Sequence, residues 1–282
     1  MKRALCGFAN HHMSKGIPRF KEQAESLQTF DEIYTYNQKD LDRDFKKKFG
    51  RYMFPYAKGY AYWCWKPYII EKTLNKLEEG DLLLYTDLGC HFNPNGRKRL
   101  QEYFDMVAKS PTGLLGFQSR EVSYNDLPET IYYEYEWTKG DIFDYFGVRD
   151  DKSITDTTQI EATIIFFRKC PETMAFIAEW RKAIDYDYFL LTDDPSHSPN
   201  LPGFKENRYD QSLFSILGKL HHIETLSTNE TFQRDWSLLK DYPIHARRDK
   251  AYPSKLHYRL RFRIRDMYRT LWKIKYFFKD LF

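Results

Sequence analysis

Residues 80–90 read GDLLLYTDLGC, from Gly80 to Cys90. A turn-forming glycine leads into unbroken apolar residues, and the run stops at one carboxylate, Asp87. Continuous hydrophobicity predicts a strand covered on both faces, the kind found inside parallel sheets. In open α/β sheets, ligands bind in the crevice at the carboxyl ends of the strands. A carboxylate in such a place is costly unless a cation, a hydroxyl or a backbone cap compensates it. A divalent cation on a diphosphate or a ribose hydroxyl would do so. Capping the turn before Asn93-Pro94-Asn95-Gly96 is the equally open structural alternative. Gly89, lacking Cβ, would let a bulky ligand approach the backbone.

The surrounding pattern supports a sheet. Residues 4–10 predict a first strand, 18–30 a helix with Phe20, Ala24 and Leu27 on one face, and 32–37 a second strand. Pro67 suits the first turn of a helix that Gly80 ends. Helices are predicted over 97–110, 139–147, 171–186 and 210–220, and strands over 113–119 and 159–170. Residues 121–137 carry no clear period, and 191–208 read as a loop. Alternating strands and helices predict an α/β fold, a mixed and mostly parallel sheet flanked by helices. Residues 1–250 form the expected domain, and residues 251–282 a C-terminal amphipathic helical tail.

Of the 282 residues, 18% are aromatic, enough to fill a core and still line a site. Four scattered cysteines form no CxxC pair, which argues against zinc and against a disulfide framework. The first residues make a poor signal peptide, and no apolar run approaches the length of a bilayer span. The expected location is cytoplasmic, peripheral on the inner face of a membrane. Residues 243–282 hold twelve Lys and Arg against three Asp, a net of +9 in a chain of +4, so residues 1–242 carry −5. Basicity this local does not suit a nucleic-acid binder, whose charge covers a docking face. In the tail, Leu260, Ile264, Met267, Leu271, Ile274, Phe278 and Leu281 form a stripe, with Arg261, Arg265 and Arg269 beside it. That pattern predicts an anionic membrane surface as partner, or a helix packed on its own domain.

Four stretches together, AYWCWKPYII (61–70), GDLLLYTDLGCHFN (80–93), QIEATIIFF (159–167) and RYDQSLFSIL (208–217), resemble bacterial and viral polysaccharide-synthesis glycosyltransferases. The resemblance implies a GT-A fold, a nucleotide-sugar-binding α/β domain whose D-x-D element binds ribose and a Mn2+ or Mg2+ on the diphosphate. Here the element is Asp87-Leu88-Gly89, with one carboxylate where the general pattern has two. His245 is the second metal-ligand candidate that the resemblance implies, an ordinary core or surface histidine being the other reading.

Lys66 beside Trp63 and Trp65 at a helix start is a candidate phosphate site. A salt bridge for Lys66 and a wall role for the indoles are the alternatives. Arg247, Arg248 and Lys250 are candidates to clamp a departing diphosphate, or to touch lipid phosphates. Arg208, Asp210 and Gln211 open a helix. Asp210 is a natural N-cap, whereas the resemblance implies that Asp210 and Gln211 reach the donor sugar. Asp210 and Asp194 are the candidate catalytic carboxylates, with Asp193 beside the latter. Glu161 is a candidate contact for acceptor hydroxyls or a buried structural carboxylate.

The expected function is transfer of a hexose or pentose from a nucleotide sugar, UDP-linked, to a glycan or lipid-linked glycan in surface polysaccharide synthesis. A non-catalytic carbohydrate- or lipid-binding protein on the same fold is the alternative. A nucleotidyltransferase is disfavoured, because no Gly-rich phosphate loop follows the first strand.

Overall fold

Leu82–Thr86 is a fully buried strand, β3, as its unbroken hydrophobicity requires. The computed structural model describes residues 1–53, 57–120 and 131–249, together with Met267 and Thr270. The expected tail of residues 251–282, apart from those two, and Lys250 lie outside the described residues.

Six strands make the main sheet: β1 (Arg3–Phe8), β2 (Glu32–Tyr36), β3, β5 (Leu114–Gln118), β6 (Ile160–Arg168) and β7 (Glu224–Ser227). Their order is β2-β1-β3-β6-β5-β7. β1 runs parallel to β2 and β3, and β5 parallel to β7, while β6 is antiparallel to both β3 and β5. The expected mixed, mostly parallel α/β sheet is therefore what forms. The reversal of β6 was not expected, and it matters: the start of β6 lies at the same sheet edge as the ends of β3 and β5.

Helices cover both faces. They are α1 (Ile17–Ser26), α2 (Arg43–Phe49), α3 (Gly59–Tyr62), α4 (Lys66–Leu74), α5 (Arg97–Lys109), α6 (Glu134–Trp137), α7 (Gly140–Phe146), α8 (Lys152–Thr155), α9 (Pro171–Tyr186) and α10 (Asp210–Leu220). On one face α4, α9 and α10 bury Ile70, Phe176, Trp180 and Phe214 with Leu83 and Tyr85 of β3. On the other, α1 and α5 bury Phe20, Tyr103 and Phe104 with Leu82 and Leu84. The alternation of β3 splits its side chains between two cores, each large side chain contributing about 1.5–3 kcal/mol of burial.

Two irregularities shape the site edge. The β5–β6 register shifts between Leu115 and Phe117. Beyond the shift Ile160 and Ala162 pack into the same core as Ile165 and Phe167, while Ile164 and Phe166 fill the other. A bulge of this kind re-aims side chains at a sheet edge, and it leaves Glu161 and Thr163 off that first core. The second irregularity is α3, where Gly59, Tyr60, Ala61, Tyr62 and Trp63 all have positive φ. Left-handed turns cost about 1–2 kcal/mol per non-glycine residue. This one is tied by Trp65 Nε1 donating to the Gly59 carbonyl at 3.0 Å.

A second, two-stranded sheet pairs β4 (His91–Phe92) with β8 (Ile244–His245). It draws the segment after Ile244 against the turn that follows Asp87.

Candidate functional site

Period-two alternation places Asp87 on the same side of β3 as Tyr85, whose hydroxyl donates to Asp87 Oδ1 at 2.7 Å. Lys66, the first residue of α4, reaches this edge from the helix packed beneath it. Its Nζ lies 2.5 Å from Asp210 Oδ2 and 3.6 Å from Asp87 Oδ1, and it donates to the Ala162 carbonyl at 2.8 Å. The Lys66 and Asp210 side chains are 3% and 6% exposed, whereas Asp87 is 32% exposed. One cation thus bridges two carboxylates, and only Asp87 remains open to a ligand.

Electrostatics follow from that burial. Desolvation pushes the Asp210 carboxyl up to about 6, with Lys66 opposing and Asp87 adding to the rise. Burial works against the Lys66 charge, but Asp210 and Asp87 outweigh it and its pKa is raised. Burial, then the Asp87 charge, pushes the Tyr85 phenol well above its ordinary value, so it stays a neutral donor. Asp210 Oδ2 makes no hydrogen bond of good geometry to any described residue, although Lys66 Nζ is close. Charge, rather than a directed hydrogen bond, holds that oxygen.

The structure decides several alternatives that the sequence leaves open. The turn after Asp87 is capped by Asn93, whose side chain accepts from the Asn95 backbone, and not by Asp87. Asp210 is not the N-cap of α10: Tyr209 is, at φ 59° and ψ −126°, and the Asp210 carboxylate turns to Lys66 instead. Lys66 forms the salt bridge rather than an open phosphate contact. Trp65 is a core residue, stacked on Phe8 at 4.0 Å, which corrects its expected donor-binding role.

Gly89 is a point of close approach, but to the chain itself. A Cβ there would meet the Asp249 backbone at 3.1 Å, and Asp249 N donates to the Gly89 carbonyl. The space expected to admit a ligand is filled by residues 248–249. His245 donates through Nε2 to the Leu239 and Tyr242 carbonyls at 2.8 and 3.2 Å, and burial lowers its pKa.

These residues form no closed metal cage of their own. Among the described residues no group of three or more His, Cys, Asp or Glu is arranged to hold an ion. Asp87 Oδ1 and Asp210 Oδ2 face the Lys66 ammonium. His245 donates through Nε2, which leaves the Nδ1 lone pair, so Asp87 and His245 stay candidates for an ion carried by a diphosphate.

Other candidates are distributed around the same edge. Glu161 and Arg248 line one small cleft of about 80 Å³ with Thr163, Tyr132, Asn229 and Gln233. Burial, then the charges of Asp87 and Glu161, raise the pKa of Cys90. The Arg208 guanidinium stands near both Tyr132 and Trp137, at 4.1 and 4.5 Å from the ring centres. Arg247 is exposed and stands over Trp236 at 5.0 Å. Gln211 donates to Gln159 at 2.8 Å. Asp194 lies in the turn-rich loop after Thr192 and acts on Lys139 and Tyr188 rather than on the Lys66 cluster. Asp193 pairs with Lys58 at 3.7 Å and accepts from the Tyr62 hydroxyl.

Sequence reasoning missed two supports. Tyr85 was findable, since it stands two residues before Asp87 on one strand face. Arg19 was not: from α1 it donates to the Leu88 and Cys90 carbonyls, each at 2.7 Å, and so fixes the turn that carries Asp87.

No family model and no curated protein matches the chain. Solved structures are similar to it only at a distance. One is a glycosyltransferase involved in glycosylation of the major capsid of PBCV-1, with 11% identity, 89% of this chain and 100% of that chain covered, and a TM-score of 0.46. A second is apo GlyE, a glycosyltransferase of Streptococcus pneumoniae TIGR4, with 14% identity and a TM-score of 0.42; the match takes in 99% of this chain but only 64% of that one. A third is mouse xyloside xylosyltransferase 1 in apo form, with 9% identity, coverage of 83% and 87%, and a TM-score of 0.43. At these scores the likenesses assign no activity.

Proposed function

We propose that the chain is a nucleotide-sugar-dependent glycosyltransferase that moves a hexosyl or pentosyl unit onto a glycan or lipid-linked glycan. One observation supports this most: the buried Lys66 ammonium bridges Asp87 and Asp210 at the carboxyl edge of the parallel strands. The open Asp87 oxygen can accept from ribose hydroxyls, and the diphosphate would lie toward Arg247 and Arg248.

In this reading the bond between the anomeric carbon and the diphosphate oxygen breaks, and the acceptor hydroxyl oxygen bonds to that carbon. The electron pair leaves with the diphosphate, whose charge Arg247 and Arg248 would stabilise. Asp210, buried behind Lys66 and Asp87, would act on the developing positive charge at the sugar through its field. The acceptor proton would leave with the departing diphosphate. The cleft lined by Glu161 and Arg248 would receive the acceptor glycan. The basic tail would keep the enzyme on an anionic inner membrane face, beside lipid-linked acceptors of surface polysaccharide synthesis.

A thermal-shift panel of UDP-, GDP- and CDP-sugars, with and without Mn2+, tests the reading. One nucleotide sugar should raise the melting temperature, since a ligand that binds only the folded state stabilises it. The same sugar should be hydrolysed slowly by the wild type and not by Asp87→Ala. Absence of any stabilising nucleotide would overturn the proposal. A shift seen only with Mn2+ would mean that the diphosphate brings its own ion.

A further inference from the structure

Glu134 is fully buried on α6, away from the Lys66 cluster, and it is saturated with donors. Its Oε1 accepts from Lys219 Nζ at 2.6 Å and from the Ser215 hydroxyl. Its Oε2 accepts from the Thr138 hydroxyl at 2.6 Å and from Gln159 Nε2 at 3.2 Å. A group that only accepts imposes a direction on everything bonded to it.

Gln159 shows the consequence. Its Nε2 faces Thr138 Oγ1 at 2.9 Å, the Trp137 carbonyl at 3.1 Å, Glu134 Oε2 at 3.2 Å and Ser212 Oγ at 3.2 Å. The carboxylate and the carbonyl have no proton to give. The Thr138 proton goes to Glu134, and the Ser212 proton to the Trp137 carbonyl at 2.8 Å. Both hydroxyls therefore turn lone pairs toward Gln159, so its NH2 must point at this cluster and its Oε1 away. Gln159 Oε1 can only accept, so Gln211 must offer Nε2 to it, at 2.8 Å. Gln211 Oε1 is then left on the other side of the amide. Among the described residues it has no hydrogen-bond partner, and Gln211 is half-buried, next to Asp210 in the first turn of α10.

We infer that Glu134 is a positioning residue that, through Gln159, fixes Gln211 with its carbonyl oxygen outward, so that the site selects a donor sugar bearing a free hydroxyl opposite Gln211. This rests on the transferase reading. A sugar that is deoxygenated or acylated at that position has no proton for the carbonyl and leaves it unsatisfied, which is how polar sites discriminate.

Two measurements test it. A neutron structure of the perdeuterated wild type should show ND2 of Gln211 on Gln159 and Oε1 outward; the reverse orientation would overturn the relay without any assay. Calorimetry then compares UDP-glucose, UDP-galactose and UDP-xylose with UDP alone. Glu134→Gln combined with Lys219→Met, which removes both buried charges, should weaken the preferred nucleotide sugar about tenfold relative to UDP. General damage would weaken both alike. Gln211→Met should give the same change in that ratio, and the two effects should not add, because they lie on one path. An unchanged ratio or additive losses would overturn the inference. If no nucleotide sugar binds the wild type, the transferase reading and the selection fail together, and the neutron map alone upholds or overturns the relay.

Discussion

Lys66 and Asp210, distant in sequence, meet at 2.5 Å with both side chains more than nine-tenths buried. Removing one member of such a pair strands the other. Lys66→Met should cost about 3–5 kcal/mol, a fall in melting temperature on the order of 10 °C. Lys66→Met with Asp210→Leu should regain most of that loss and none of the nucleotide-sugar turnover. Calorimetric melting of the three variants checks both statements, and recovery of activity in the double variant would refute the catalytic assignment.

The pH dependence follows from Asp210. Its folded pKa, about 6, lies above the ordinary aspartate value of 3.8. Folding thus favours its protonated form, so its contribution to stability is full below about pH 4 and is lost as pH rises toward 6. Turnover should run the opposite way, falling on the acid side near pH 6, because protonation removes the charge that faces Lys66 and the sugar. Asp210→Asn should flatten the melting-temperature slope between pH 4 and 6 and abolish the acid limb of any residual activity.

Asp87 separates chemistry from folding. It is the exposed member of the cluster, so Asp87→Asn should change stability by no more than ~1 kcal/mol. Hydrolysis of the preferred nucleotide sugar should nonetheless drop by about 100-fold or more. A chemical denaturation curve and a steady-state assay on the same preparation suffice. An active Asp87→Asn enzyme would remove the premise of the site.

The glycines on either side of β4 test how the segment before residue 250 is seated. A Cβ on Gly96 would come within 2.2 Å of Pro243 N, and one on Gly89 within 3.1 Å of Asp249. Gly96→Ala should therefore destabilise by roughly 1–3 kcal/mol, and Gly89→Ala by less. Urea midpoints distinguish them. Were Gly89 chiefly a ligand contact, Gly89→Ala would weaken nucleotide binding with no change in the midpoint.

Deleting residues 256–282 should release the protein from anionic vesicles while leaving hydrolysis of soluble donors unchanged. Vesicle sedimentation measures the first, and equal binding by the truncated chain would end the membrane proposal.

Much of the architecture was legible because it is written in local periodicity. The apolar run at 82–86 made a buried strand, and Pro67 and Pro171 marked helix starts. The stripe of Phe20, Ala24 and Leu27 marked a core face. Asp87 was locatable for the same reason, since a carboxylate ending such a strand stands at the sheet's edge. Local pattern could not show that β6 runs backwards or that its register slips beside Phe117. Nor could it show that His245 spends its proton on carbonyls, or that the chain beyond it closes over Gly89.

What the sequence by itself determined was the α/β sheet and one carboxylate at its edge, because strand and helix periods depend on near neighbours. Only the tertiary structure decided that Lys66 would stand between Asp87 and Asp210, and that Glu134 would orient Gln211. Partners so far apart along the chain meet only when the sheet order and helix packing bring them together, and burial then sets their charges and the direction of every hydrogen bond between them.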